Sequence, residues 1–180
     1  MMSTKNLVFI ARSLEGYIAD RNGGLEWLEA VPNPDRQDLG YESFYRGIDA
    51  LIMGRKTFET VCGFDLEWPY DKPVYVLSRT LDSVPEAFRE KAKVVRGPLS
   101  AVLDRIHREG YLRLYVDGGI TVQQFLKEDL IDELTVTTIP VLLGGGTALF
   151  GELPGKMEFE LVESRVLLNA LVQTRYRRKR

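Results

Sequence analysis

The chain has 180 residues, of which 44% are apolar and 28% charged, with a formal net charge of −2. That is enough apolar material for a sizeable core, most simply as one domain over residues 1–180, and the charge balance excludes a broad basic surface for nucleic acid. No apolar run approaches the ~20 residues of a membrane span, and the single cysteine, Cys62, excludes a disulfide framework and points to a reducing compartment, the cytoplasm by default.

Met1 to Asn6 is polar and leads into a strand, so no secretion signal is expected. Asn6 to Ser13 reads as an apolar strand, followed by Gly16-Tyr17-Ile18-Ala19 and a turn at Asn22-Gly23-Gly24. Trp27 and Leu28 precede a loop containing Pro32 and Pro34. A short helix is expected over 38–47, with Leu39, Tyr41, Phe44 and Tyr45 turned inward. Ala50 to Met53 is a second buried strand and runs into Gly54-Arg55-Lys56-Thr57. Pro73 to Leu77 is a third, closed by Ser78-Arg79-Thr80. A short strand at Val94-Val95 precedes an amphipathic helix over 99–109, which Gly110 stops.

Leu112 to Val116 is a further apolar strand, meeting Gly118-Gly119-Ile120-Thr121 and then a helix carrying Val122, Phe125 and Leu126. A β-rich run over 132–143 is broken by Gly144-Gly145-Gly146. Met157, Phe159 and Leu161 alternate with polar residues, as do Leu168, Ala170, Val172, Thr174 and Tyr176, which marks a pair of half-exposed antiparallel strands. The order of elements predicts an α/β fold with a mixed, mostly parallel sheet and antiparallel C-terminal edge strands.

Three of these strands end in the same kind of junction. In an open α/β sheet, ligands sit at the carboxyl ends of the strands. Gly54-Arg55-Lys56-Thr57, Ser78-Arg79 and Gly118-Gly119-Ile120-Thr121 all stand there, offering helix N-termini, cations and hydroxyls. A helix N-terminus carries about half a positive charge and favours phosphate. A dinucleotide with a pyrophosphate and a further ribose phosphate would use all of these groups, and the planar forks of Arg55 and Arg79 favour NADP over NAD. No Gly-x-Gly-x-x-Gly follows a strand and no Walker sequence is present. His107 is the sole histidine and reads as a surface residue in mid-helix, so no metal site and no Ser-His-Asp triad is expected. Cys62 reads as an inert thiol, and the basic cluster Arg175 to Arg180 as a solvated strand end.

Five segments taken together resemble a known family: Ala11-Arg12-Ser13-Leu14-Glu15-Gly16-Tyr17-Ile18-Ala19, Met53-Gly54-Arg55-Lys56-Thr57-Phe58-Glu59, Val76-Leu77-Ser78-Arg79, Val116-Asp117-Gly118-Gly119, and the run from Ile139 to Phe150. In this order they resemble the dihydrofolate reductase-like superfamily, in the branch of the C-terminal reductase domain of the bifunctional riboflavin-biosynthesis deaminase/reductase, as a stand-alone bacterial-type member. The resemblance implies a three-layer sandwich around the sheet. It implies that Gly54, Arg55, Lys56 and Thr57 form the pyrophosphate and ribose-phosphate loop, and that Ser78 and Arg79 hold the adenosine 2′-phosphate. Gly118, Gly119, Ile120 and Thr121 would make the second pyrophosphate contact, and Ala11 and Ile18 would flank the nicotinamide.

Leu25-Glu26-Trp27-Leu28 departs from the Leu-Pro-Trp loop of dihydrofolate reductases, and the acid that would hold the substrate ring is either Asp38 or Glu42. The 180 residues contain no deaminase-type set of zinc-ligand histidine and cysteines, so a dedicated role in riboflavin synthesis is not implied. The expected activity is that of an NADPH-dependent reductase passing a hydride to a small nitrogen-containing heterocycle, a pteridine or a ribosylaminopyrimidine. Asp38 or Glu42 would be the catalytic acid, and Tyr17, Trp27 and Phe44 the apolar wall. The alternative is a non-catalytic NADP(H)-binding module with a regulatory or assembly role. Expected partners are a small-molecule substrate and a second copy of the chain, paired through the C-terminal strands, with no nucleic acid and no membrane.

Overall fold

Strands whose residues are apolar on both faces pack into the middle of a sheet covered on both sides. That is the position of β3 (Ala50–Gly54) and β6 (Arg113–Asp117) in the computed structural model, which describes residues 3–64 and 67–180. With β1 (Lys5–Arg12), β4 (Val74–Leu77), β5 (Ala92–Val95), β7 (Glu133–Thr138), β9 (Phe159–Leu167) and β10 (Leu171–Arg178) they form an eight-stranded sheet ordered β5-β4-β3-β6-β1-β7-β10-β9. Pairing is parallel from β5 through to β7 and antiparallel for β7 with β10 and β10 with β9. A separate two-stranded piece joins β2 (Tyr17–Ala19) to β8 (Thr147–Ala148).

The two-residue period of the strands divides the core into two layers. Ala50, Ile52, Leu114 and Val116 face α3 (Leu99–Arg108) and α4 (Gly119–Lys127), together with Val102, Ile106, Val122 and Phe125. Leu51, Met53 and Tyr115 face the opposite side, where α1 (Tyr41–Arg46) and α2 (Arg55–Cys62) contribute Tyr41, Phe44 and Phe58. Fully buried rings such as Phe58 and Phe125 each contribute about 1.5–3 kcal/mol. The result is the three-layer, mostly parallel arrangement with an antiparallel edge.

Four expectations are corrected. The helix expected over 38–47 begins only at Tyr41, because Leu39 (φ 58°) and Gly40 (φ 90°) are left-handed and cannot continue a helix. The run over 132–143 is a strand only as far as Thr138; Pro140 follows closely and has no N–H to give a ladder. Leu168 and Ala170 lie in the turn between β9 and β10, where Leu168 (φ 53°) and Asn169 (φ 56°) reverse the chain and the Ala170 N–H donates to Leu167 O at 3.1 Å. His107, expected on the surface, is half-buried within α3.

Two strand-to-helix junctions are locked to each other. A Cβ on Gly54, which ends β3, would lie 2.8 Å from Thr121 Oγ1 in α4. Reciprocally, a Cβ on Gly118, after β6, would strike Thr57 Oγ1 in α2, and Gly118 also has φ +94°. Gly118→Ala is therefore expected to destabilise the protein by about 2 kcal/mol or more, through left-handed strain and collision with Thr57, as read by chemical denaturation. Unchanged stability would show that the two junctions are not in contact in solution.

Candidate active site

The carboxyl ends of β1, β3, β4 and β6 open into one cleft of about 1420 Å³, larger than one small ligand needs. Ala11, Ile18, Gly54, Arg55, Lys56, Thr57, Ser78, Arg79, Gly118, Gly119, Ile120 and Thr121, the residues chosen from sequence for a cofactor, all line it. α2 starts directly after Gly54 and α4 directly after Gly118, and neither N-cap makes a side-chain hydrogen bond. Their first-turn N–H groups therefore keep donors for a ligand, and the glycines let its atoms approach the backbone.

The cations are placed by local contacts. Arg55 Nε donates to Glu59 Oε1 at 2.7 Å and its Nη1 to Thr80 Oγ1 at 2.9 Å, which fixes the guanidinium plane between α2 and the end of β4. Ser78 is buried and its Oγ accepts the N–H groups of Thr80 (3.3 Å) and Leu81 (3.0 Å), so the hydroxyl builds the turn that presents Arg79. A further junction, Arg96-Gly97-Pro98 between β5 and α3, also lines the cleft. Sequence reasoning passed over it, although a strand meeting Gly-Pro and then a helix is the same signal. The other flank is held by Glu15, whose carboxylate accepts the N–H groups of Leu143 and Gly144, and by Arg21, which donates to Gly144 O. Those N–H bonds hold the Glu15 pKa below its ordinary value. The glycine triplet at 144–146 is thereby tied to the segment carrying Ile18, whose side chain lies against Gly119.

The proposed acids and apolar wall are corrected: none of the five residues lines the cleft. Asp38 is exposed and caps α1, its Oδ2 accepting the Glu42 N–H at 2.8 Å. Glu42 is exposed and pairs with Arg46 one turn on. Tyr17 sits in β2, paired with Ala148. Trp27 Nε1 donates to Gly24 O at 3.1 Å, while its neighbours Leu25 and Leu28 reach the cleft. Phe44 stands one layer behind, its ring centroid 5.0 Å from both Phe9 and Tyr115, and those two residues form the wall.

Among the described residues three acids line the cleft, Asp20, Glu128 and Asp117, and the carboxyl of Asp117, the last residue of β6, is shifted by burial. Its signal lay in the Val116-Asp117-Gly118-Gly119 motif, where a charge closes an otherwise apolar strand. Asp117 projects from the same face as Tyr115, and its Oδ1 accepts the Gly118 N–H at 2.9 Å. Burial pushes its pKa from 3.8 to about 6, with that N–H bond pulling the other way. Burial also raises the pKa values of Tyr41, Tyr70 and Tyr115, and the charge of Asp117 raises them further, so the phenols stay neutral around it. Among the described residues no group of three or more His, Cys, Asp or Glu is placed to hold a metal.

Comparison with known proteins agrees with this fold. A family model described as the RibD C-terminal domain matches residues 5–172. A crystal structure of a Shewanella sp. PV-4 protein, whose name attaches it provisionally to riboflavin biosynthesis, is 49% identical and covers 98% of this chain and 99% of its own, with a TM-score of 0.96. The uncharacterized protein YwjB of Bacillus subtilis (strain 168) is 36% identical over 162 residues, 89% of this chain and 90% of its own. A dihydrofolate reductase of Enterococcus faecalis, solved with NADP(H) and RAB-propyl, is similar in fold, with a TM-score of 0.68 at 19% identity over 98% of this chain and 97% of its own.

An acid whose folded pKa lies above its unfolded value binds its proton more tightly when folded, so its ionisation costs stability as pH rises through that window. For Asp117 the window runs from 3.8 to about 6, which corresponds to a penalty on the order of 2–3 kcal/mol above it. Asp117→Asn is expected to raise stability by that order at pH 8 and to change it little at pH 3, as read by urea denaturation at the two values. Equal effects at both would mean that the carboxyl is not strained by burial.

Proposed function

For this chain, which belongs to the RibD C-terminal domain family, we propose an NADPH-dependent reductase that delivers a hydride to a C=N or C=O carbon of a small nitrogen-containing heterocycle. The observation that carries the reading is the convergence of two uncapped helix N-termini with Arg55, Lys56, Arg79 and Arg96 on the rim of a cleft whose floor holds a protonatable carboxyl. NADPH, when bound, supplies the hydride.

The residues fit that cofactor. The first turns of α2 and α4, with Lys56, Thr57 and Thr121, would receive a pyrophosphate where Gly54 and Gly118 leave the backbone bare. Arg55, with its plane fixed by Glu59 and Thr80, and Arg79 beside it would hold a ribose 2′-phosphate. Ala11, Ile18 and Gly119 would bound the nicotinamide end.

Asp117 takes the part first given to Asp38 or Glu42. With a pKa near 6 it carries a proton often enough near neutral pH to donate to a ring nitrogen, and it recovers that proton from water. Tyr70, Tyr115 and Phe9 line the same cleft, and the burial of the carboxyl is what raises its pKa.

Arg55→Ala combined with Arg79→Ala is expected to weaken NADPH binding at least about tenfold while changing NADH binding little, as read by quenching of protein fluorescence. Unchanged NADPH affinity overturns the assignment. Asp117→Asn is expected to leave NADPH affinity within about twofold and to lower turnover by a factor of about 10² to 10⁴. NADPH binding with no turnover of any heterocycle would instead support a non-catalytic nucleotide-binding module.

A further inference from the structure

The end of the cleft beyond the nicotinamide position has a composition of its own. It is walled by Phe9 from β1, Tyr115 from β6, Val61 and Phe64 from α2 and the residues after it, Tyr70, and Leu28. Asp117, an acid, closes β6 beside Tyr115, and the other acids of the cleft among the described residues are Asp20 and Glu128. The cations of the cleft lie elsewhere. Arg55, Arg79 and Arg96 follow β3, β4 and β5, toward one edge of the sheet. Arg21 is held by Gly144 O, and Lys127 ends α4 on the opposite face of the sheet. Lys56 lies in the first turn of α2, whereas Phe64 follows the opposite end of that helix, which closes at Cys62. Arg12, next to Ala11, turns its Nε to Thr138 Oγ1 at 3.3 Å and does not line the cleft.

The apolar character also reaches the mouth. Leu28 is 38% exposed and Phe64 46% exposed, so a substituent leaving the ring toward solvent runs along apolar side chains rather than toward a cation. A phosphate placed there would lose water without gaining a partner, and it would face the ionised form of Asp117. Aromatic walls and one carboxyl that accepts or donates a hydrogen bond suit a flat, neutral ring.

Resting on the reductase reading above, we propose that the substrate is an uncharged aromatic heterocycle with a neutral or apolar substituent, and that phosphorylated heterocycles are rejected. The Phe64 and Leu28 rim sets this preference, because it occupies the place where a phosphate-binding cation would have to stand.

The test uses the full chain saturated with NADP⁺ and a fluorescent pair differing only in the phosphate, 6-hydroxymethylpterin and its phosphate monoester. A cofactor titration comes first: failure there is failure of the reductase reading and is seen before any pterin is added. With the cofactor bound, the neutral pterin is expected to bind at least about tenfold more tightly than its ester, and Phe64→Lys to narrow that gap at least about threefold by strengthening the ester. Phe64 is exposed, so this variant keeps the core intact. An ester that binds as tightly as the neutral pterin, or a Phe64→Lys variant that leaves the gap unchanged, overturns the proposal while leaving the cofactor assignment standing.

Discussion

Two glycines and two threonines hold the working end of this protein together. Thr121 of α4 fills the space where Gly54 has no side chain, and Thr57 of α2 does the same at Gly118. The helices lie on opposite faces of the sheet, yet their first turns meet at its rim because β3 and β6 are neighbours. Any side chain larger than hydrogen at either glycine would push one junction away from the other. The reciprocal contact thus keeps two electropositive helix ends at a fixed separation, which is what recognition of a pyrophosphate requires.

The rim is stiffened by contacts that serve position more than stability. Arg55 is oriented by Glu59 and Thr80, the turn after β4 is built on Ser78 Oγ, and Glu15 and Arg21 tie the glycine triplet to the segment before β2. Exposed ion pairs of this kind contribute little to folding, commonly 0–1 kcal/mol each, but they narrow the range of orientations in which a ligand meets the side chains. Stability comes from the two apolar layers that the strand alternation creates on either face of the sheet.

Asp117 works against that stability. A carboxyl sunk among Tyr41, Tyr70 and Tyr115, with a backbone N–H as its bonded partner, is ionised only at a cost, and the same cost delivers an acid with a pKa near neutral. Functional sites tolerate such local loss because the surrounding layers over-determine the geometry. The separation of charge along the cleft follows the same economy. Arg55, Lys56, Arg79 and Arg96 gather where the strands β3, β4 and β5 end, while Asp117 closes β6 beside the rings of Phe9, Tyr70 and Tyr115 in the same lining.

Patterns confined to neighbouring residues were legible without the structure. The apolar runs placed β1, β3, β4 and β6, the amphipathic period placed α3, and the strand-end junctions put Gly54 to Thr57, Ser78, Arg79 and Gly118 to Thr121 on one cleft, because each such feature depends on residues a few positions apart, whereas Ala11 and Ile18 came from the family resemblance alone. Side-chain direction was not legible. Asp38 and Glu42 are acids near a helix start, as a substrate-binding acid would be, but left-handed Leu39 and Gly40 turn that start outward and leave Asp38 as its cap. Phe44 is aromatic and inward-facing, yet Phe9 and Tyr115 stand between it and the cleft. The motif Val116-Asp117-Gly118-Gly119 marked Asp117 as a charge closing an apolar strand, but the burial that raises its pKa follows from the place of β6 between β3 and β1. Local sequence determined which segments form strands, helices and phosphate-ready turns; which acid is buried, and therefore which can hold a proton near neutral pH, was decided by residues far apart in the chain that only the folded sheet brings into contact.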